Sequence, residues 1–174
     1  MNRIAIVGCS GGGKSTLARA LGARLGLPVI HLDTLFWKPG WVEGDRETLR
    51  AEVESAVLAE DWIVEGNFIG ASALRFARAD TIVWVDLPRV TCLWRAVWRA
   101  ASAFGRSRPD LAPGCPEKID FAFYGYILSW DRVTRPRMEA AIATFGSTAR
   151  LVRLRNDAET AAWIEAATGP AKPS

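Results

Sequence analysis

The sequence predicts an α/β protein in which helices cover both faces of a parallel sheet. Short apolar runs of strand length alternate with segments of helical periodicity along the whole chain. The run Thr81-Ile-Val-Trp-Val85 is apolar on both faces, as in a buried parallel strand. Because the connections are short, we expect one layered domain over residues 1–168 and a loose tail at 169–174.

The elements of the first half follow from apolar spacing and from turn residues. We expect a strand at 3–7, a helix at 15–25, a strand at 29–32, an aromatic-rich loop at 34–44, a helix at 45–59 and a third strand at 62–64. Asp45 is a suitable N-cap for the second helix. The apolar face of that helix carries Leu49, Val53, Val57 and Leu58.

The second half continues the alternation of helices and strands. We expect a short helix at 68–77, a strand at 81–85, a helix from Pro88 to about Phe104, an exposed loop at 105–116, a helix at 120–145, a fifth strand at 149–154 and a last helix after Asn156. Pro88 suits the first turn of a helix, whereas Arg135-Pro136 is expected to break one. Asn156 and Glu159 have the spacing of a capping box.

The strongest motif lies between the first strand and the first helix. Residues 8–16 read G-C-S-G-G-G-K-S-T and fit G-x-x-x-x-G-K-[ST]. A glycine-rich loop lets backbone N–H groups approach phosphate oxygens, and the following helix adds its positive dipole end. Lys14 is expected to reach the β- and γ-phosphates and Ser15 to bind Mg²⁺. The expected phosphate-binding residues are Gly8, Ser10, Gly11, Gly12, Gly13, Lys14, Ser15 and Thr16.

Three carboxylates stand where predicted strands end, which is where ligands bind in parallel sheets. Asp33 follows the second strand, Glu65 the third and Asp86 the fourth. Asp33 and Glu65 are the better candidates: either could orient an acceptor, accept its proton or hold Mg²⁺ through water. Each could instead cap the next element, and for Asp86 that structural role is equally good.

Arginines form the second strong feature. Between Asp86 and Asp110 the sequence has no acid and carries Arg89, Arg95, Arg99, Arg106 and Arg108, and later come Arg132, Arg135 and Arg137. Arginine binds phosphate in a bidentate way and stabilises the charge of phosphoryl transfer. The alternative is a solvated basic face or a nucleic-acid patch. The net charge of +3 and the pI near 9.0 fit both interpretations.

Aromatic, histidine and cysteine residues are mostly interpreted as structural. Trp37 and Trp41 are the exceptions, because they lie in the loop after the second strand, where an acceptor would bind. Trp62 and Trp84 are expected in the core, Trp94, Trp98 and Trp130 in helix packing, and His31 in a structural role. The three cysteines form no C-x-x-C pair and no run is long enough to span a membrane, so we expect a cytoplasmic protein.

The chain resembles P-loop nucleoside and nucleotide kinases of the adenylate kinase type. It is more closely similar to the adenylate-kinase-like bacterial proteins known as DNA topology modulation proteins. The likeness rests on five segments of the chain: I-V-G-C-S-G-G-G-K-S-T-L-A at 6–18, H-L-D-T-L-F-W-K-P-G-W at 31–41, D-W-I-V-E-G-N-F at 61–68, R-A-D-T-I-V-W-V-D-L-P-R at 78–89 and R-P-D-L-A-P-G-C-P-E-K at 108–118.

The resemblance implies a three-layer P-loop fold with sheet order 2-3-1-4-5, an acceptor-binding region at about 33–60 and a helical lid at about 99–137. It implies that Arg95 and Arg99 flank ATP, that Arg75 meets acceptor phosphate, and that Arg132, Arg135 and Arg137 come from the returning lid helix. Glu65-Gly66 resembles the Asp-Gly that ends strand three in adenylate kinases. The Pro-Arg that follows Asp-Gly-Phe in true adenylate kinases is missing, and Asn67-Phe68-Ile69-Gly70 stands instead, so the acceptor need not be AMP.

These observations predict a small kinase that moves the γ-phosphoryl group of Mg-ATP to a nucleotide, a nucleoside or another small hydroxylated acceptor. The expected catalytic residues are Lys14, Asp33, Glu65, Arg95, Arg99, Arg132 and Arg135. The expected acceptor-binding residues are Asp33, Trp37, Trp41 and Arg75. The alternative is an ATP-binding regulator that affects DNA topology through a basic face, with little or no kinase activity.

Overall fold

The main sheet of the protein has the predicted order. The computed structural model describes residues 1–106 and 112–168 of the 174-residue chain. The strands are β1 (Arg3–Gly8), β2 (Val29–His31), β3 (Trp37–Lys38), β4 (Val42–Glu43), β5 (Trp62–Glu65), β6 (Thr81–Val85) and β7 (Arg150–Leu154). Five of them form a parallel sheet of order β2-β5-β1-β6-β7. Numbered within this sheet, the order is the expected 2-3-1-4-5, and the α/β class is confirmed.

Helices flank this sheet and supply the rest of the core. They are α1 (Lys14–Leu25), α2 (Leu32–Phe36), α3 (Arg46–Val57), α4 (Ser72–Arg78), α5 (Arg89–Ser102), α6 (Phe121–Phe145) and α7 (Asp157–Thr168), with a 3₁₀ turn at Ile69–Ala71 before α4. The central strands β1, β5 and β6 are buried along nearly their whole length. Trp62 and Trp84 are fully buried in strands and Trp130 is buried on α6, as the sequence predicts.

Two helix starts are built as their sequences predict. The Asp45 carboxylate accepts a hydrogen bond from the Thr48 backbone N–H at 2.7 Å, which caps α3. Before α7, the Asn156 side chain accepts from the Glu159 N–H at 2.8 Å, and the Glu159 carboxylate accepts from the Arg155 N–H at 2.8 Å. Both pairs satisfy backbone donors that a helix end leaves open.

The segment at 34–44 is more ordered than the predicted loop. Leu32–Phe36 forms the short helix α2, and β3 and β4 then pair as an antiparallel hairpin. Trp41 turns this hairpin with a positive φ of 63°, next to Gly40. The prediction that Leu58 belongs to the apolar face of α3 was also wrong. Leu58 lies beyond the helix end and is exposed, whereas Leu49, Val53 and Val57 are buried.

The helix α6 runs unbroken through Pro136, contrary to the predicted break. Proline removes one backbone hydrogen bond and costs about 3 kcal/mol or more within a helix. Here Pro136 is exposed, while Thr134 and Met138 on either side of it are buried against the core. Burial of these flanking side chains explains why the helix continues.

The segment at 105–116 is not an exposed loop throughout. Arg108 and the rest of 107–111 lie outside the described residues, as does the tail at 169–174. Beyond that gap, Ala112 and Cys115 are buried and pack against Trp37 and Trp41. The Gly105 N–H donates to the Glu117 carbonyl at 3.0 Å, which closes the base of the segment. Among the described helices, none is both long and apolar enough to cross a membrane.

Candidate active site

The loop between β1 and α1 is shaped by glycines that the surrounding backbone leaves no room to replace. Gly8 and Gly11 have φ values of 143° and 85°. A Cβ on Gly8 would lie 2.2 Å from the Val85 carbonyl oxygen, and one on Gly11 would lie 2.2 Å from that of Cys92. Helix α1 begins after Gly13, and no side chain caps it. Its first N–H groups therefore face a site for an anion.

Lys14 and Ser15 meet the carboxylate of Glu65 below this loop. The Lys14 ammonium donates to the Cys9 carbonyl at 3.3 Å and lies 3.9 Å from Glu65 Oε1. The Ser15 hydroxyl donates to Glu65 Oε2 at 3.1 Å. The structure thus joins the phosphate loop to the strand-end acid of β5, two features that the sequence places 50 residues apart.

Glu65 has a third partner, His31, for which the sequence predicts only a structural role. His31 Nδ1, at the end of β2, lies 2.9 Å from Glu65 Oε2. Burial acts to raise the pKa of Glu65, but the hydrogen bond with His31, the charge of Lys14 and the Ser15 hydroxyl outweigh it and hold that pKa below its usual value. Glu65 is therefore an ionised, buried carboxylate.

Oxygen ligands from this cluster suit a Mg²⁺ ion. Mg²⁺ is bound in proteins by one or two carboxylates or hydroxyls together with substrate phosphates. Ser15 and Glu65 offer such oxygens beside the phosphate loop. Within residues 1–106 and 112–168, no three His, Cys, Asp or Glu side chains gather into a dedicated metal cluster.

A cavity of about 590 Å³ opens next to the loop. Ser10 and Lys14 form one wall, and Asp33, Trp37 and Trp41 belong to the lining as well. Asp33 is exposed at the start of α2, in contrast to the buried Glu65. The structure therefore brings Asp33 and both tryptophans to the same space as the phosphate loop.

The predicted acceptor and lid regions contact each other directly at this cavity. The Trp41 indole N–H donates to the Pro116 carbonyl at 2.8 Å, and the Gly40 N–H donates to the Gly114 carbonyl at 2.8 Å. The Lys118 ammonium lies 5.3 Å from the centre of the Trp41 ring. Glu117, Lys118 and Asp120 also line the cavity, so the described residues that precede α6 border it.

A second cavity of about 560 Å³ adjoins the first. The two share Phe36, Asn67, Phe68 and Tyr126 in their linings. The second is distinguished by three arginines, Arg46 and Arg50 of α3 and Arg137 of α6, against the single acid Glu47. Only Arg137 had been singled out from the sequence. The guanidinium of Arg46 lies 6.0 Å from the Phe68 ring centre.

Most of the arginines expected to close over the donor are paired with acids. Arg95 donates a hydrogen bond to Asp157 at 2.5 Å, and Arg99 forms an ion pair with Glu117 at 2.9 Å. Arg135 bonds Asp86, and it also lies 3.2 Å from Asp131. Arg132 is exposed on α6. In this conformation these pairs join α5 to α7 and to Glu117, and they join α6 to the residue that follows β6.

Arg75 is placed apart from both cavities. Its side chain is fully buried on α4 and donates to the Gly66 carbonyl at 2.6 Å and to the Phe68 carbonyl at 3.5 Å. Burial lowers the pKa of Arg75 to about 10, against the opposing charge of Glu65. These two bonds fix the turn that follows β5, and the contact of Arg75 with acceptor phosphate stays a prediction.

Comparisons with known proteins show the fold. No protein family model and no curated protein matches the chain. Similar solved structures include the shikimate kinases of Bacteroides thetaiotaomicron (20% identity, 95% of this chain and 96% of that chain, TM-score 0.55) and Aquifex aeolicus (14%, 95% and 92%, 0.54). Another is that of Acinetobacter baumannii in complex with shikimate (13%, 96% and 90%, 0.60). The chain therefore has the fold of P-loop kinases.

Proposed function

We propose that this protein is an ATP-dependent phosphotransferase whose acceptor is a small hydroxylated molecule with an acidic group. The observation that carries the proposal is the cavity shared by Lys14 and Ser10 of the phosphate loop and by Asp33. Such a space lets a donor phosphate and an acceptor hydroxyl meet with water partly excluded. The likeness in fold to kinases supports the same reaction class.

The two candidate acids take different roles in this proposal. Glu65 is buried and already bonded by Ser15 and His31, which suits it to hold the Ser15 hydroxyl and a Mg²⁺ ion. Asp33 is exposed to the cavity, which suits it to orient the acceptor hydroxyl and take its proton. The hydroxyl oxygen would then attack the γ-phosphorus as the bond to the β-phosphate oxygen breaks, which gives ADP and a phosphorylated acceptor.

The donor half of the site consists of the loop and the first turn of α1. The loop N–H groups, Lys14 and Ser15 would hold the triphosphate of ATP. Mg²⁺ would neutralise charge on the β- and γ-phosphates. Arg95 and Arg99 would reach the donor by exchanging Asp157 and Glu117 for phosphate oxygens.

The acidic group of the acceptor is inferred from the second cavity. Arg46, Arg50 and Arg137 give it a clear excess of positive charge, and it adjoins the space beside Asp33. A molecule that spans both cavities would place a hydroxyl near Asp33 and a carboxylate or phosphate on these arginines. One similar structure holds shikimate, a hydroxylated carboxylic acid, which supports this acceptor class.

The nucleic-acid alternative has less support. Each arginine of α5 is paired within the chain, with Asp131, Asp157 or Glu117. A basic face neutralised in this way attracts a polyanion weakly. The sequence resembles DNA topology modulation proteins, but the name of that group describes a cellular effect and no reaction. We therefore propose the kinase.

The proposal is tested by acceptor-dependent ADP release. The panel comprises hydroxylated carboxylic acids including shikimate, sugar phosphates, nucleosides and nucleoside monophosphates. We expect at least one acidic acceptor to be turned over, and Lys14→Ala to lower that rate roughly a hundredfold or more. Arg24→Ala, at the exposed end of α1, is the matched control. The absence of acceptor-dependent ADP release across the panel would contradict the proposal.

A further inference from the structure

Helix α5 carries an exposed apolar face that its own fold does not use. Val90, Trp94, Val97 and Trp98 recur at the spacing of one helix face and are 71%, 65%, 40% and 63% exposed. We call these four residues the α5 apolar face. The Trp94 and Trp98 rings are stacked with centres 6.1 Å apart. The sequence predicted both tryptophans to pack within the fold, and that expectation was wrong.

The opposite side of α5 already supplies its core contacts. Cys92, Ala96 and Ala100 are buried, and α5 packs along α6. The α5 apolar face therefore adds nothing to the packing of the described chain. A tryptophan pair exposed to water is costly to keep, because burial of each aromatic side chain is strongly favourable.

The face continues onto α6 and is large. The Arg89 guanidinium donates to the Leu128 carbonyl at 3.5 Å, which sets exposed Leu128 beside the start of α5. If a full aromatic side chain offers roughly 150–250 Å², the two tryptophans expose roughly 300 Å². With the valines and Leu128 the patch is on the order of 600 Å², at the upper end of the range for the largest apolar patch on a monomer.

Charges beside the patch are neutralised inside the chain. Arg89, Arg95 and Arg99 form ion pairs with Asp131, Asp157 and Glu117 respectively. These are all of the cations on α5. The patch therefore presents an apolar centre with a rim of paired charges, which is the composition of a protein interface. An anionic membrane or a nucleic acid would instead favour cations that are free to bind it.

We propose that the α5 apolar face binds the same face of a second copy of this chain in a symmetric dimer. A twofold contact buries one patch from each copy, and a standard interface buries about 800 Å² per partner. The patch together with the rim around it approaches that area. A second copy is apolar at the same place and carries no unpaired α5 charge to bury. The proposal does not depend on the reaction proposed above.

The dimer is tested on the full-length chain by sedimentation velocity over a wide range of protein concentration. We expect a mass of twice 19.0 kDa that falls towards 19.0 kDa on dilution. The double variant Trp94→Ser/Trp98→Ser should remain at 19.0 kDa at all concentrations. Leu58→Ser, which removes an exposed apolar residue elsewhere, is the matched control and should dimerise like wild type.

A cross-link adds a readout that does not depend on removing the tryptophans. The natural cysteines Cys9, Cys92 and Cys115 are free and buried, so Val97→Cys would supply an accessible thiol on the face. A short bis-maleimide should link two copies of this variant. A monomeric wild type at every concentration, a dimer that survives the double tryptophan change, or a wild-type monomer that binds anionic vesicles would each overturn the proposal.

Discussion

The side-chain amide of Asn67 bonds both backbone groups of Gly8. Its oxygen accepts from the Gly8 N–H at 3.1 Å, and its nitrogen donates to the Gly8 carbonyl at 2.7 Å. Asn67 also lines both cavities. Asn67, two positions after the end of β5, thus holds the first glycine of the phosphate loop and borders the proposed acceptor space.

Replacing Asn67 should weaken donor binding. Asn67→Ala removes both bonds that hold Gly8 in place. Because ATP binding must then also order the loop, we expect ATP affinity to fall roughly tenfold. Calorimetric titration with ATP measures the affinity of each variant. Asn156→Ala, at the distant cap of α7, should leave affinity unchanged. Equal losses in both variants would count against a local role for Asn67.

Glu65 should affect Mg²⁺ binding directly, and His31 should affect it through Glu65. Glu65→Gln removes the charge beside Ser15 and Lys14, whereas His31→Gln removes only a partner that orients Glu65. Loss of a residue that orients a metal ligand typically lowers metal affinity 10–100-fold. We expect the Mg²⁺ concentration for half-maximal ATP binding to rise in both, and further in Glu65→Gln. An unchanged Mg²⁺ dependence in Glu65→Gln would contradict the assignment.

The arginines of the second cavity should govern acceptor binding alone. Alanine at Arg46, Arg50 or Arg137 should raise KM for an acidic acceptor roughly tenfold with little change in kcat or in KM for ATP, because each removes a charge-assisted contact. Steady-state kinetics measures kcat, the KM for the acceptor and the KM for ATP separately. Arg19→Ala, exposed on α1, is the control. A kcat effect without a KM effect would place these residues elsewhere in the reaction.

Two glycine substitutions should have opposite effects on stability. Gly11→Ala would press a Cβ to 2.2 Å from the Cys92 carbonyl oxygen at a φ of 85°, so the free energy of unfolding should fall by more than about 1 kcal/mol. Gly125→Ala places its Cβ in open space within α6 and should raise it by about 0.5–1 kcal/mol. Urea denaturation followed by circular dichroism measures both.

The stability contributed by Asp80 should depend on pH in a known direction. Burial acts to raise the pKa of Asp80, but hydrogen bonds from the Asn2 and Arg3 N–H groups and from Thr81 outweigh it and lower that pKa. A lowered folded-state pKa gives stability that is present above the unfolded value of about 3.9 and lost as pH falls through the folded value. The stability difference between wild type and Asp80→Asn should therefore shrink below about pH 4.

Local signals in the sequence predicted most of the fold. The strand at 81–85 is apolar at every position but its first, and the caps at Asp45 and Asn156 act within one turn, so each was found within its own segment. The short hairpin of β3 and β4 was missed because it depends on distant bonds, such as that from Trp41 to Pro116. The predicted helix break at Pro136 was wrong for the same reason. The burial of Thr134 and Met138 against the core outweighs the free-energy cost of a proline within the helix.

The candidate site was predicted less completely than the fold. The phosphate loop is continuous in sequence, so a single motif predicts it. His31 and Glu65 are 34 residues apart, and Arg95 and Asp157 are 62 apart. Pairings of that kind depend on the order of strands in the sheet. The burial of Arg75 and its bond to the Gly66 carbonyl likewise depend on how α4 packs, which no local signal predicts.

Three side chains contact the carboxylate of Glu65. His31 and Ser15 bond one of its oxygens, and Lys14 faces the other. Replacing any one of them changes what the remaining two encounter, so the free-energy effects of single substitutions will not add up in double ones. The end of β2 and the first turn of α1 are therefore thermodynamically coupled. A double-mutant cycle on His31 and Ser15 would measure that coupling even without bound nucleotide.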